Sequence, residues 1–285
     1  MKKLLFAVAI LVATSISAQS YISVTGGYAI GSAGVKFGEN ITTTTAESNY
    51  GSFGQGMNTQ LRMGHFFNET FGVELGFGYL HGDDQDINNV DIPGVRELEA
   101  ISRGRAFGLS TSIVYNFTEN LYGRFGALIK LGGRTEAIIS DKTTGVTGLP
   151  AGYYSVVNAE VDFHGQPPLG FVGAMGYKHN IGKNLNIFIE AEYMGISVKR
   201  KDSEIMKMNG GVFMPDGTQI LTFDLDNLPT GWSKKTEYVD SLPFGDHMAN
   251  DGVLFPAKKL SEKVPYSSFG INFGITYTFG KSSKE

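Results

Sequence analysis

The chain has 285 residues, 38 of them Gly and none Cys, with 12% aromatic residues, 18% charged residues and a formal net charge of −4. Without Cys there is no disulfide framework, no thiolate metal site and no lipid-bearing Cys of the lipoprotein type, and the slight acidic excess gives no reason to expect nucleic acid. Abundant Gly and rings with few charges suit strands that pack small residues on one face better than they suit a helical enzyme, and a mean hydropathy of −0.08 fits a wall whose alternate residues face lipid and lumen.

At the amino end Met1-Lys2-Lys3 is basic, Leu4 to Ala13 is almost wholly apolar, and Ser15-Ile16-Ser17-Ala18 places small residues before Gln19. Residues 1–18 therefore read as a secretory signal peptide, with Gln19 or Ser20 as the mature start. The apolar run is too short to span as a helix, and no later stretch reaches about 18 consecutive apolar residues.

Alternation and turn chemistry then divide the mature sequence into eight strands, at about 20–37, 53–67, 71–82, 104–117, 121–133, 169–181, 185–199 and 266–280. In the third, Phe71, Val73, Leu75, Phe77 and Tyr79 oppose Gly72, Glu74, Gly76 and Gly78; a register slip of one residue would put Glu74 into lipid. The last strand is the clearest, because Phe269, Ile271, Phe273, Ile275, Tyr277 and Phe279 alternate with Gly270, Asn272, Gly274, Thr276 and Thr278. Strict alternation over about a dozen residues exceeds an ordinary strand and matches one that crosses a bilayer at a tilt. Connections alternate too: 67–70, 118–120 and 182–184 are tight turns, whereas 38–52, 83–103, 134–168 and 200–265 are long. The pattern predicts an all-β, antiparallel up-and-down barrel over 19–280, with short periplasmic turns, long extracellular loops and a polar tail at 281–285. Rings near the turns (Phe66, Phe67, Phe71, Tyr115, Phe117, Tyr122, Tyr277) and near the far ends (Phe37, Tyr79, Phe171, Tyr193, Phe269) read as two aromatic girdles.

This arrangement resembles the small eight-stranded outer-membrane barrels of the OmpA transmembrane domain and OmpX kind, and the outer-membrane β-barrel proteins of Bacteroidetes-type bacteria. The resemblance runs over about 19–280 and rests on the signal peptide, the Gly-Phe and Gly-Tyr strand rhythm and the Tyr277-Thr278-Phe279 ending, from which the chain departs by continuing through Gly280-Lys281-Ser282-Ser283-Lys284-Glu285. It implies an outer-membrane location among lipid and lipopolysaccharide, assembly by the barrel-assembly machinery, and no enzymatic activity.

On the inner face Arg62, Glu74, Arg124, Glu190 and Glu192 fall at similar heights above the turns. Reflection about Asn68-Glu69 brings Arg62 almost opposite Glu74 as a cross-strand ion pair. In a lumen just wide enough for side chains, this layer reads as a salt-bridged plug, with a selectivity constriction as the alternative. Catalytic material is thin: His81 beside Asp83 and Asp84, and His164 beside Asp162, are rim imidazoles near carboxylates, while His65, His179 and His247 are scattered. Asp84-Gln85-Asp86-Ile87-Asn88 imitates the start of a calcium loop but lacks the Gly after it and the closing Glu, where Val95 stands. No metal or cofactor is expected.

The connection 200–265 carries Phe213, Phe223, Trp232, Tyr238, Phe244 and Phe255 among charges, with Met214-Pro215-Asp216-Gly217-Thr218 as the turn of a hairpin. Tyr153 to Phe163 alternates and continues the fifth and sixth strands outward as a ribbon. These aromatic loops either bind a protein partner or pack on each other over the mouth. The functional expectation is a non-conducting barrel acting through its loops in adhesion, structural support or protein interaction; a narrow channel, an accessory subunit of a larger complex and a rim hydrolase are the rivals.

Overall fold

The computed structural model describes residues 19–32, 34–244 and 257–279. The expected signal peptide, the tail at 281–285, His247 and Phe255 lie outside them. In chain order the strands are β1 (Gln19–Gly31), β2 (Val35–Thr42), β3 (Ala46–Gly51), β4 (Gly56–Phe66), β5 (Phe71–Gly82), β6 (Gln85–Ile92), β7 (Arg96–Asn116), β8 (Leu121–Thr144) and β9 (Tyr154–Gly165). They continue as β10 (Leu169–Asn180), β11 (Leu185–Gly195), β12 (Ser197–Phe213), β13 (Gln219–Phe223), β14 (Lys235–Val239), β15 (Ala257–Leu260), β16 (Lys263–Pro265) and β17 (Ser268–Phe279).

The expected count of eight needs correcting, since 17 strands join in one sheet. Antiparallel ladders run β1–β4, β4–β5, β5–β7, β7–β8, β8–β10, β10–β11 and β11–β17, and β17 returns to β1. That circuit has no free edge. The other strands lie in connections that the sequence presents as loops. Alternation does not stop at the rim: β7 runs for 21 residues and β8 for 24, and Leu98, Ala100, Ala137, Val157, Ala159 and Val161 are buried beyond it. β9 pairs with the outer half of β8 and β10 with its inner half. The two are separated by Gln166-Pro167-Pro168, whose prolines remove two ladder donors. Nor is every pair antiparallel, because β2 meets β6 and β14 meets β15 in parallel.

At the tight-turn end, Asn68 Oδ1 accepts from Thr70 N–H at 2.9 Å and Phe71 N–H at 2.8 Å, which fixes the β4–β5 register. On the ring's outer face large apolar side chains stand exposed on every strand, among them Val24, Leu61, Leu75, Ile113, Phe125, Met175, Ile189 and Phe273, with Phe125 64% accessible. Exposed apolar area this continuous is foreign to a water-facing surface.

Beyond the ring an outer sheet runs β3–β2–β6–β7–β8–β9–β12, and β16, β14 and β13 share the far edge of β12 in turn. It has its own apolar core, built from Val157, Val161, Ile205, Met208, Val212 and Phe223 with Trp232 and Leu228 packed against them.

Candidate functional site

The site is the lumen of the ring. Even-numbered residues of β4, β5, β8 and β11 point inward, so the alternation that puts Leu61, Leu75, Phe125 and Ile189 outside puts Arg62, Glu74, Arg124 and Glu190 inside. Glu190 is the hub. Arg62 donates to it twice, each at 3.0 Å; Arg124 donates at 3.1 and 3.0 Å; and Tyr122 donates its hydroxyl at 2.9 Å. Arg124 also pairs with Glu192, which accepts from Gln60 at 2.9 Å. Glu74 stands 3.8 Å from both guanidinium groups and accepts from Tyr21 at 2.8 Å. All five charged residues are buried, Arg62 and Glu190 to 1% accessibility.

The five expected lumen residues thus meet, and the expected Arg62–Glu74 ion pair is present at 3.8 Å. The β4–β5 register sets Arg62 against Gly76 and Glu74 against Gly64, so that pair is diagonal and long, and the shorter, bidentate partner of Arg62 is Glu190 on β11. Sequence reasoning missed Tyr21, Gln60 and Tyr122 as lumen residues, although their inward parity is readable. Two rings expected in the girdle are not there: Tyr122 is inside on Glu190, and Phe66 tilts against Tyr21 at 5.5 Å. Phe37 likewise leaves the girdle to stack on Phe53 at 4.6 Å. Outward rings do meet at both ends, as Phe71 with Tyr115 at 4.9 Å and Tyr79 with Phe107 at 4.8 Å.

The charge layer divides the lumen. Toward the tight turns lies a polar vestibule of about 420 Å³, reached by Tyr21, Arg62, Glu74 and Lys178. Toward the outer sheet lies a smaller chamber of about 90 Å³, bordered by Gln60, Arg124 and Glu192. An apolar cluster of Phe53, Leu80, Ala106, Ile196, Val198, Val264 and Tyr266 packs over the mouth above. It is tied down by backbone: Phe53 N–H donates to Pro265 C=O at 3.0 Å, and Ser52 Oγ to Ser267 C=O at 2.7 Å.

The loop aromatics mostly pack inward. Phe223 is buried in the outer core with Trp232 against it, Phe213 stacks on Tyr154 at 5.3 Å, and Tyr238 lies 6.4 Å from Phe163. Phe244, at 86% accessibility, is exposed. Gly217, at φ 89°, turns the expected 214–218 hairpin, where Met214 N–H donates to Thr218 C=O at 2.8 Å. At the rim His164 Nδ1 lies 2.8 Å from Asp202 on β12 rather than beside Asp162, which pairs with Arg134 at 3.1 Å. Among the described residues His81 has a ring neighbour, Tyr79, and no carboxylate in ion-pair range. The calcium-like segment is strand β6, whose alternate side chains diverge, and Asp84 is held by Arg103 at 3.3 Å. No group of three or more His, Asp and Glu converges as metal ligands among the described residues.

No protein-family model matches the chain, and no curated protein matches it. It is similar to the solved structure of a major outer membrane protein from Thermus thermophilus, at 11% identity over 92% of this chain and 100% of that one, with a TM-score of 0.35. It is also similar to a Pseudomonas aeruginosa FadL homologue, at 10% identity over 93% of this chain and 90% of that one, with a TM-score of 0.24. Likenesses this distant carry no argument about what the chain does.

Proposed function

We propose that this chain is an integral outer-membrane β-barrel in which the closed ring of β1, β4, β5, β7, β8, β10, β11 and β17 spans the bilayer. Its lumen does not conduct, and the outer sheet acts at the cell surface in adhesion, structural support or protein interaction, without catalysis. The observation that carries the reading is a closed ring, crossed by a buried charge layer and surmounted by a folded sheet with its own core. A belt of exposed apolar side chains bounded by rings supports the membrane part, since only a closed sheet leaves no unpaired backbone facing lipid. On this reading lipid and lipopolysaccharide surround the belt, and Tyr277-Thr278-Phe279 is the segment that assembly machinery would read.

The test removes 136–162 and 201–262 together with short Gly/Ser connectors. The eight buried residues of the outer core then leave at once, and the Val90, Leu98 and Ala100 cluster on β6 and β7 stays. Heat-modifiable gel mobility should be retained, while recovery of a surface partner from native membranes, or cell adhesion, should be lost. A folded variant that adheres like its parent would overturn the surface role. Planar-bilayer recordings should show no large, stable currents from the purified protein; such currents would favour the narrow channel.

A further inference from the structure

The small chamber above the charge layer holds a buried cation that the charge layer does not use. Lys130 points inward from β8 at 9% accessibility. Its Nζ lies 4.7 Å from the centroid of the Tyr266 ring, and the Tyr266 hydroxyl is fixed by Thr135 Oγ1 at 2.6 Å. Among the described residues no carboxylate comes within ion-pair distance of it. The carboxylates of the layer below are committed: Glu190 to Arg62 and Arg124, Glu192 to Arg124 and Gln60. A ring face offsets only part of the cost of burying an ammonium group.

A second group in the same wall is also unsatisfied. Asn58, from β4, is 5% accessible, and neither its Oδ1 nor its Nδ2 has a hydrogen-bond partner. Buried amides are rarely left so, because each unmade bond costs the full desolvation of the group. The rest of the chamber is mostly apolar, with Leu80, Ala106, Leu128, Val172, Ile196 and Val198 in its lining. Gln60, Arg124 and Glu192 at its floor are paired with one another, which leaves one cation without a carboxylate and one amide without a partner in a mostly apolar pocket, the composition of a ligand site.

We propose that this chamber binds a short-chain monocarboxylate, with its carboxylate accepting from Lys130 Nζ and Asn58 Nδ2 and its alkyl end against the apolar wall. The charge fits a single negative ion. Chloride would leave the apolar wall unfilled, and a dianion would exceed Lys130, since Arg124 is already neutralised by Glu190 and Glu192. The volume of about 90 Å³ sets the size. A cavity of about 150 Å³ takes the six carbons of benzene, so this one admits about four non-hydrogen atoms, the size of acetate. The site lies between the ion layer and the apolar cluster over the mouth, and it stands or falls apart from the surface role proposed above.

The experiment refolds the full mature barrel in detergent with and without carbon-13-labelled acetate and measures retained ligand by equilibrium dialysis and NMR. The parent should retain one acetate per chain, saturably, with contacts from its methyl protons to Leu128 and Val172. Lys130→Met and Asn58→Leu should each weaken retention by about tenfold or more, the loss of a charge-assisted and of a buried hydrogen bond, with heat-modifiable mobility unchanged. Equimolar chloride should not displace the ligand. No saturable retention by the parent would overturn the proposal, as would equal retention by folded Lys130→Met or displacement by chloride. If either variant fails to fold, the parent's methyl contacts decide: acetate bound without contact to Leu128 or Val172 lies elsewhere, and the proposal fails.

Discussion

Glu190 receives both guanidinium groups and a tyrosine hydroxyl, whereas Glu74 accepts one hydroxyl and lies farther from the same arginines. Removing one partner of a buried pair strands the other, at about 3–5 kcal/mol. Glu190→Ala should therefore destabilise the ring by about that much, and by more than Glu74→Ala, in urea-dependent refolding into lipid vesicles. Equal losses would mean that Glu190 is not the hub. Arg62→Ala should be costly because of Glu190 rather than Glu74. The inward parity of all five residues was legible in the sequence, as was the Arg62–Glu74 pair between neighbouring strands; the closer partner Glu190 was not, because β4 and β11 share no ladder. Outside the ring, Glu136 is partly buried, which opposes its ionisation, but hydrogen bonds from Arg103 at 2.8 Å and Arg134 at 2.8 Å hold its carboxyl below the usual glutamate range. A lowered folded value contributes stability above the ordinary glutamate value that is lost as pH falls through the lowered one. Asp162 has the opposite sign: burial raises it, against the pull of Arg134, so protonating it relieves strain on the sheet. Glu136→Gln should flatten the acid limb of outer-sheet stability, read as protease susceptibility against pH, and Asp162→Asn should not.

Strand by strand, the ring was legible because an exposed apolar face on one side and a tight lumen on the other follow a strict period of two. The outer sheet was not, because its strands turn partly buried faces to other ribbons and to water, and β13 to β16 are short, with no more than five residues each. Prolines at 167 and 168 also give an interrupted strand the look of a loop. The glycine rhythm has a local cause in the ladders. Gly176 lies opposite Tyr122, and a Cβ there would come within 2.5 Å of that ring's Cζ and hydroxyl. The ring cannot yield without leaving Glu190. Gly176→Ala should cost about 1–3 kcal/mol through overpacking, whereas Gly173→Ala, whose Cβ would meet only Phe125 Cδ2 at 3.5 Å, should change stability by less than about 0.5 kcal/mol. Equal costs at the two positions would show that the lumen accommodates the ring elsewhere.

For the molecule as a whole, if the exposed apolar belt faces lipid as proposed, the mature protein should fractionate with the outer membrane, in the detergent-resistant pellet rather than the periplasmic extract. Recovery as a freely soluble periplasmic species would sink the membrane reading. The charge layer also bears on how the barrel is made. Arg62, Glu74 and Arg124 belong to β4, β5 and β8, which are synthesised first, and on their own carry a formal charge of +1, two positive and one negative. β11 brings Glu190 and Glu192 and turns the layer to −1, one hairpin before β17 meets β1 across the longest sequence separation in the ring. An incomplete sheet ending before residue 185 therefore holds two arginines with one shared carboxylate, facing a half-formed apolar surround. The arrival of β11 removes that penalty late, so the ion layer acts as a checkpoint on closure: partial barrels should remain loose and protease-sensitive, and pulse proteolysis during refolding should show protection of β4 and β8 appearing together with that of β11.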